Sequence, residues 1–153
     1  MLLVGVHVEQ DADVPVLLLQ ESDGDRVLPL AIGAAEANAI ILEQQGLRPV
    51  RPLTHDLLGE VIEALGRRLE KVLITELREG TFLAELIFDG DVRVSARPSD
   101  SVALALRVGA GIHADEQVLD EAGQVVTTEQ DEVAKFREFL DSASPEDFHG
   151  EDT

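Results

Sequence analysis

The sequence of 153 residues has no cysteine, no tryptophan and no tyrosine, and its five phenylalanines are its only aromatic residues. The absence of cysteine excludes a disulfide framework and any thiolate site. So few aromatic rings leave little for stacking on nucleic-acid bases. No apolar run approaches the length of about 18 residues that a membrane-spanning helix needs. The start, Met1-Leu2-Leu3-Val4-Gly5-Val6-His7-Val8-Glu9, lacks the basic opening and long apolar run of a secretory signal. A cytoplasmic protein is expected. There is no Walker loop, no GxGxxG after a strand, no HExxH and no GxSxG.

Basic residues are also scarce: 12 Lys and Arg stand against 31 Asp and Glu, for a net charge of −19. The imbalance is uneven. Residues 1–114 hold 18 acids and 10 basic residues, whereas residues 115–153 hold 13 acids and 2 basic residues. The C-terminal quarter therefore carries more than half of the excess. Such a body does not bind nucleic acid through a basic surface alone. It remains compatible with a metal-dependent nuclease, whose centre is built from carboxylates.

What is present is a repeated alternation of strand and helix. Val4, Val6 and Val8 alternate with polar residues as a first strand, and the apolar run Val14 to Gln20 reads as a central one. Ser22-Asp23-Gly24-Asp25 is a hairpin turn. Val27 to Ile32 forms a third strand, with Pro29 marking an edge position or a bulge. A helix follows over residues 34–45, and Gly46 ends it. After a proline-punctuated linker, Thr54-His55-Asp56 opens a second helix, on which Leu58, Val61, Ile62 and Leu65 have the spacing of a buried stripe. Strands are expected over residues 69–79 and 81–88. After a second Asp-Gly turn, Val92, Val94 and Ala96 form the buried face of another strand. Ser99 caps a helix over residues 101–109 that is apolar nearly all round and therefore buried, with Arg107 as its single charge. Ile112-His113-Ala114 is a short last strand, and Thr128 opens a final helix with Val133, Phe136 and Leu140 inward.

Strand, turn, strand, turn, strand, helix occurs twice, with Gly24 and Gly90 sitting 66 residues apart. The expectation is an α+β domain, an antiparallel or mixed sheet built from two βββα-like units with helices packed on it. It would occupy residues 1–123, followed by a C-terminal helix over 124–142 and an acidic tail over 143–153.

Several side chains could carry chemistry. Glu36, Asp56 and Asp100 each fall in the first turn of an expected helix, where a carboxylate complements the helix dipole. Brought together, they could ligate Mg²⁺ or Mn²⁺. His55 could transfer a proton, though neighbours on a helix do not face each other, so His55 and Asp56 are not a dyad by adjacency. Arg48, Arg51 and Arg97 suit phosphate oxygens, and Ser99 sits where a helix start could hold an anion. Capping and solvation explain each of these residues singly. Residue chemistry alone names no reaction.

Certain blocks resemble a known family. They are Arg51-Pro52-Leu53-Thr54-His55-Asp56-Leu57, Glu79-Gly80-Thr81-Phe82 and Ser95-Ala96-Arg97-Pro98-Ser99-Asp100-Ser101-Val102-Ala103. Leu28-Pro29-Leu30 leading into Ile32-Gly33 and Glu36-Ala37, and Glu43-Gln44-Gln45-Gly46, fit the same pattern. Over about residues 2–123 the chain resembles the bifunctional nuclease domain family. The resemblance implies an α+β fold and action on both RNA and DNA.

The reading is a nuclease that hydrolyses phosphodiester bonds with Mg²⁺ or Mn²⁺. His55, Asp56 and Asp100 are the catalytic candidates, Arg51, Arg97 and Ser99 the phosphate contacts, and Glu36, Asp56 and Asp100 the metal ligands. These groups would have to lie within roughly 8–10 Å of one another. The alternative is a non-catalytic binding or regulatory module for an anion or a partner. An Arg97 consumed inside the fold by Asp56 or Asp100 would favour that alternative. RNA and DNA are the expected partners, and a homodimer fits either case.

Overall fold

The computed structural model of the chain describes residues 2–7, 14–47 and 49–125. Two antiparallel meanders, each running into a helix, make up the body. The first comprises β1 (Leu2–His7), β2 (Val16–Gln20), β3 (Arg26–Ala31) and α1 (Ala34–Gln44). The second comprises β4 (Leu69–Arg78), β5 (Thr81–Phe88), β6 (Val92–Ala96) and α3 (Pro98–Val108). Helix α2 (Thr54–Ala64) joins them. The chain continues through β7 (Gly111–Ala114), α4 (Glu116–Ala122) and β8 (Gln124–Val125).

The strands form two sheets of order β1-β2-β3-β8 and β6-β5-β4-β7. All pairs are antiparallel except β4 with β7. The α+β architecture and the double βββα plan are thus both present. Pro29 lies opposite Leu18 on β2, and β8 pairs only with Arg26 and Val27, so the missing N–H of Pro29 breaks no described ladder.

One core runs between the sheets and helices. Leu17, Leu19, Leu28 and Leu30 of the first sheet and Val72, Ile74, Ala84 and Leu86 of the second belong to one buried cluster, together with Ile40 of α1 and Leu104 of α3. Each such leucine or isoleucine contributes about 1.5–3 kcal/mol by leaving water. Helix α3 is central and packs on α1, α2, β4 and β5. Its residues Ser99 and Ser101 to Ala105 are buried, as expected of the stretch after Ser101, in which Arg107 is the single charge.

Four expectations are corrected. Helix α3 begins at Pro98, with Arg97 at its N-cap and no side-chain cap. Proline is pre-set for the first helical position, so it moves the start three residues upstream of Ser101 and places Ser99 inside the first turn. The stripe on α2 is not buried: Leu58, Val61 and Leu65 are 40%, 43% and 73% exposed. The helix instead packs on α3 through Gly59, whose missing side chain admits Val108, and turns half-buried Ile62 to the core. On β6, Val92 and Val94 are also exposed, because the strand lies at the sheet edge with that face uncovered. Finally, Gln124 and Val125 are strand rather than helix, pairing with β3 and carrying the fold past residue 123. The expected helix from Thr128 and the tail lie outside the described residues. Helix α4 carries no expectation from the sequence, although buried Val118 and Leu119 anchor it to β3 and β4.

Candidate functional site

Three helix N-termini converge on one pocket of about 620 Å³. Helix α1 brings Ala35 and Glu36, α2 brings Thr54 and His55, and the β6–α3 corner brings Arg97 and Asp100. Leu53, Leu58, Leu86 and Leu104 form apolar walls. Each helix turns its positive end toward this space, which favours negative charge there.

The corner at Arg97 is fixed locally. Its carbonyl accepts from the Ser101 backbone N–H at 2.9 Å and from Ser101 Oγ at 2.8 Å. Pro98 sets the first helical φ. Arg97 is then aimed by two carboxylates: its Nε donates to Asp100 Oδ2 at 2.9 Å, and its Nη2 lies 2.8 Å from Asp100 Oδ2 and 3.3 Å from Glu36 Oε2. Glu36 and Asp100 each occupy the third residue of their helix, so the two βββα units deliver matching carboxylates to one guanidinium. The Arg97 side chain stays 64% exposed. It is paired with Asp100, as the structural alternative required, yet at the pocket rim rather than inside the fold.

The other oxygen of Asp100 meets His55. Nε2 and Oδ1 are 2.9 Å apart, and the imidazole is 12% exposed. Burial pushes the Asp100 carboxyl up, but the hydrogen bonds from His55 and Arg97 outweigh it and leave it below the ordinary carboxylate value. The Arg97 guanidinium is raised, chiefly by its hydrogen bond to Asp100. An ionised carboxylate only accepts, so a neutral His55 carries its proton on Nε2 and keeps a lone pair on Nδ1.

Arg48 lies outside the described residues, and the remaining candidates lie away from the pocket. Asp56 faces away from the pocket: Oδ2 accepts the Leu53 backbone N–H at 3.1 Å and Oδ1 takes Arg107 Nε at 2.8 Å. Its first role is to hold the start of α2. Ser99 is buried and Arg51 is exposed on the linker, and neither lines the pocket. Among the described residues no group of three or more His, Asp or Glu side chains is placed to hold a metal ion. What the structure assembles is the pair Glu36 and Asp100. Two carboxylates suit Mg²⁺ or Mn²⁺, which take hard oxygen ligands and complete their shell with water and phosphate oxygens. His113 lies exposed on β7, away from this cluster.

Arg107 is the participant that motif reading passed over. A lone cation in an otherwise apolar helix needs buried partners, and that was the available signal.

No helix among the described residues is long and apolar enough to cross a membrane. Two uncharacterized proteins of Mycobacterium tuberculosis, from strains CDC 1551 / Oshkosh and ATCC 25618 / H37Rv, are each 56% identical to this chain over 156 residues, covering 95% of both partners. Residues 17–127, which span the pocket and all three helices around it, match the bifunctional nuclease domain. The chain belongs to the bifunctional nuclease domain family.

Proposed function

We propose that the chain is a phosphodiester hydrolase acting on RNA and DNA, with its centre at His55, Asp100, Arg97 and Glu36. The observation that carries this reading is the convergence of three helix N-termini on a His–Asp pair beside an exposed arginine. Hydrolysis needs a proton acceptor for the attacking water and positive charge on the phosphoryl oxygens. His55 Nδ1 accepts the water proton, and ionised Asp100 orients the ring and stabilises the imidazolium that forms. Arg97 binds the phosphoryl oxygens, for which a guanidinium has matching geometry. Arg51, exposed four residues before His55, extends the phosphate contacts outside the pocket.

Glu36 and Asp100 face a single guanidinium, so with His55 neutral the cluster bears one net negative charge. A phosphodiester would enter against it. Mg²⁺ or Mn²⁺ held by Glu36 and Asp100 would reverse that sign and supply charge to the phosphoryl oxygens.

The test is incubation of the purified chain with single-stranded RNA and with DNA, with Mg²⁺, with Mn²⁺ and with EDTA. Metal-dependent cleavage supports the reading. A second reading, a non-catalytic anion- or partner-binding module, draws on the pairing of Arg97 with Asp100 and Glu36. It expects retention of RNA on the protein without cleavage in any of these buffers.

A homodimer belongs to the same proposal. Leu57, Leu58, Val61 and Leu65 leave an apolar stripe 40–73% exposed along α2, beside the pocket that Leu58 helps to line. Light scattering at twice the monomer mass is the expected result. A cytoplasmic location accords with this activity.

A further inference from the structure

We infer that Arg107 is the positioning residue of this site: it pins the start of α2 and so fixes where His55 meets Asp100. The inference rests on the reading of His55 as the proton acceptor. The Arg107 side chain is 5% exposed and all three of its nitrogens are engaged. Nε donates to Asp56 Oδ1 on α2 at 2.8 Å, Nη1 to the Ala103 carbonyl on α3 at 2.8 Å, and Nη2 to the Ala39 carbonyl on α1 at 2.9 Å. One guanidinium therefore ties together the three helices whose N-termini form the pocket.

Apolar packing does not do this work. Helix α2 has no buried residue. It meets Val108 and Leu104 of α3 at Gly59, and half-buried Ile62 packs on the core; these lie one and two turns after His55. Among the described contacts, two side-chain links from α3 reach its first turn. Asp100 and Arg107 are seven residues apart on α3, two helical turns, and so share a face. They reach successive residues of α2: Asp100 takes His55 and Arg107 takes Asp56. Asp56 passes the constraint on, because its second oxygen holds the Leu53 backbone N–H at the helix start. Loss of the Arg107 link leaves His55–Asp100 as the remaining side-chain hydrogen bond from α3 to the first turn of α2 among the described contacts. A lysine at position 107 offers one ammonium in place of a fork and cannot reach all three acceptors in their present directions.

The test uses the full-length chain labelled with ¹⁵N, and reads the imidazole N–H protons by long-range proton–nitrogen correlation. The His55 signal is identified by its loss in His55→Gln. In the wild type, the Nε2 proton shared with Asp100 is expected to exchange slowly with water. In Arg107→Lys and in Asp56→Asn that exchange is expected to quicken at least tenfold. The asparagine keeps an oxygen for the Leu53 N–H, so this second variant holds the test if Arg107→Lys does not fold. A merely structural role predicts a lower melting temperature with His55 exchange as in the wild type, and that result overturns the inference. In the cleavage reaction, kcat should fall in both variants with KM nearly unchanged. Absence of cleavage in the wild type, with the exchange effect intact, would overturn the nuclease reading and leave the positioning of His55 by Arg107 standing.

Discussion

His55 Nε2 lies 2.9 Å from Asp100 Oδ1, across 45 residues of chain. The two come from different helix starts, and the same carboxylate uses its other oxygen to hold Arg97. Asp100 thus joins His55 and Arg97, the proton acceptor and the phosphate contact of the proposed mechanism. Asp100→Asn replaces an ionised acceptor with an amide that can no longer stabilise an imidazolium. Cleavage should fall by about 10²–10⁴-fold, the range of general acid–base contributions, while the circular dichroism spectrum stays that of the wild type. Full activity in this variant would remove Asp100 from the mechanism.

The same carboxyl gives a pH dependence of stability. Its value in the fold is lower than in the unfolded chain, because the bonds from His55 and Arg97 outweigh burial. Its stabilisation is therefore fully present above the ordinary carboxylate value of about 3.9 and is lost as pH falls through the lower, folded value. Urea midpoints should place Asp100→Asn below the wild type at pH 7, and the gap should close toward pH 3. A gap that persists unchanged at pH 3 would show that the titration of Asp100 contributes nothing.

The contact between α2 and α3 leaves no room at Gly59. A Cβ there would stand 3.2 Å from Val108 Cγ1, and a branched side chain would push the helices apart. Gly59→Val should cost about 1–3 kcal/mol, as overpacking does, measured by urea denaturation. Val61, 43% exposed on the next turn, should tolerate Val61→Ser within about 0.5 kcal/mol in the monomer. Under the homodimer proposal, that substitution should instead lower the sedimenting mass toward that of the monomer. A loss of several kcal/mol from Val61→Ser in a monomeric chain would mean that the stripe is covered within the fold.

Much of the fold could be read in the sequence because its signals were local. The Asp-Gly turn at Gly24, the alternation of Val4 and Val6 in β1 and the apolar character of α3 each needed only a few neighbouring residues. The site was half legible for the same reason. Glu36, His55, Arg97 and Asp100 announce themselves as polar groups at helix starts, and all four reach the pocket. Which first-turn carboxylate faces inward is a tertiary matter: Asp56 occupies the same helical position as Glu36 and Asp100 but turns to Arg107. Periodicity misled at α2, since spacing marks an apolar face without saying what covers it. Ser99 has capping chemistry, yet the fixed φ of Pro98 starts the helix ahead of it and leaves Ser99 in the first turn.

The most direct test of the central claim compares cleavage of end-labelled single-stranded RNA by the wild type and by His55→Gln in Mg²⁺ or Mn²⁺. Both proteins must first show the same spectrum and melting behaviour. Cleavage by the wild type that falls at least about 100-fold in His55→Gln is the predicted result. Equal cleavage by the two proteins, or none by the wild type with either ion, would contradict a nuclease centre at the His55–Asp100 pair.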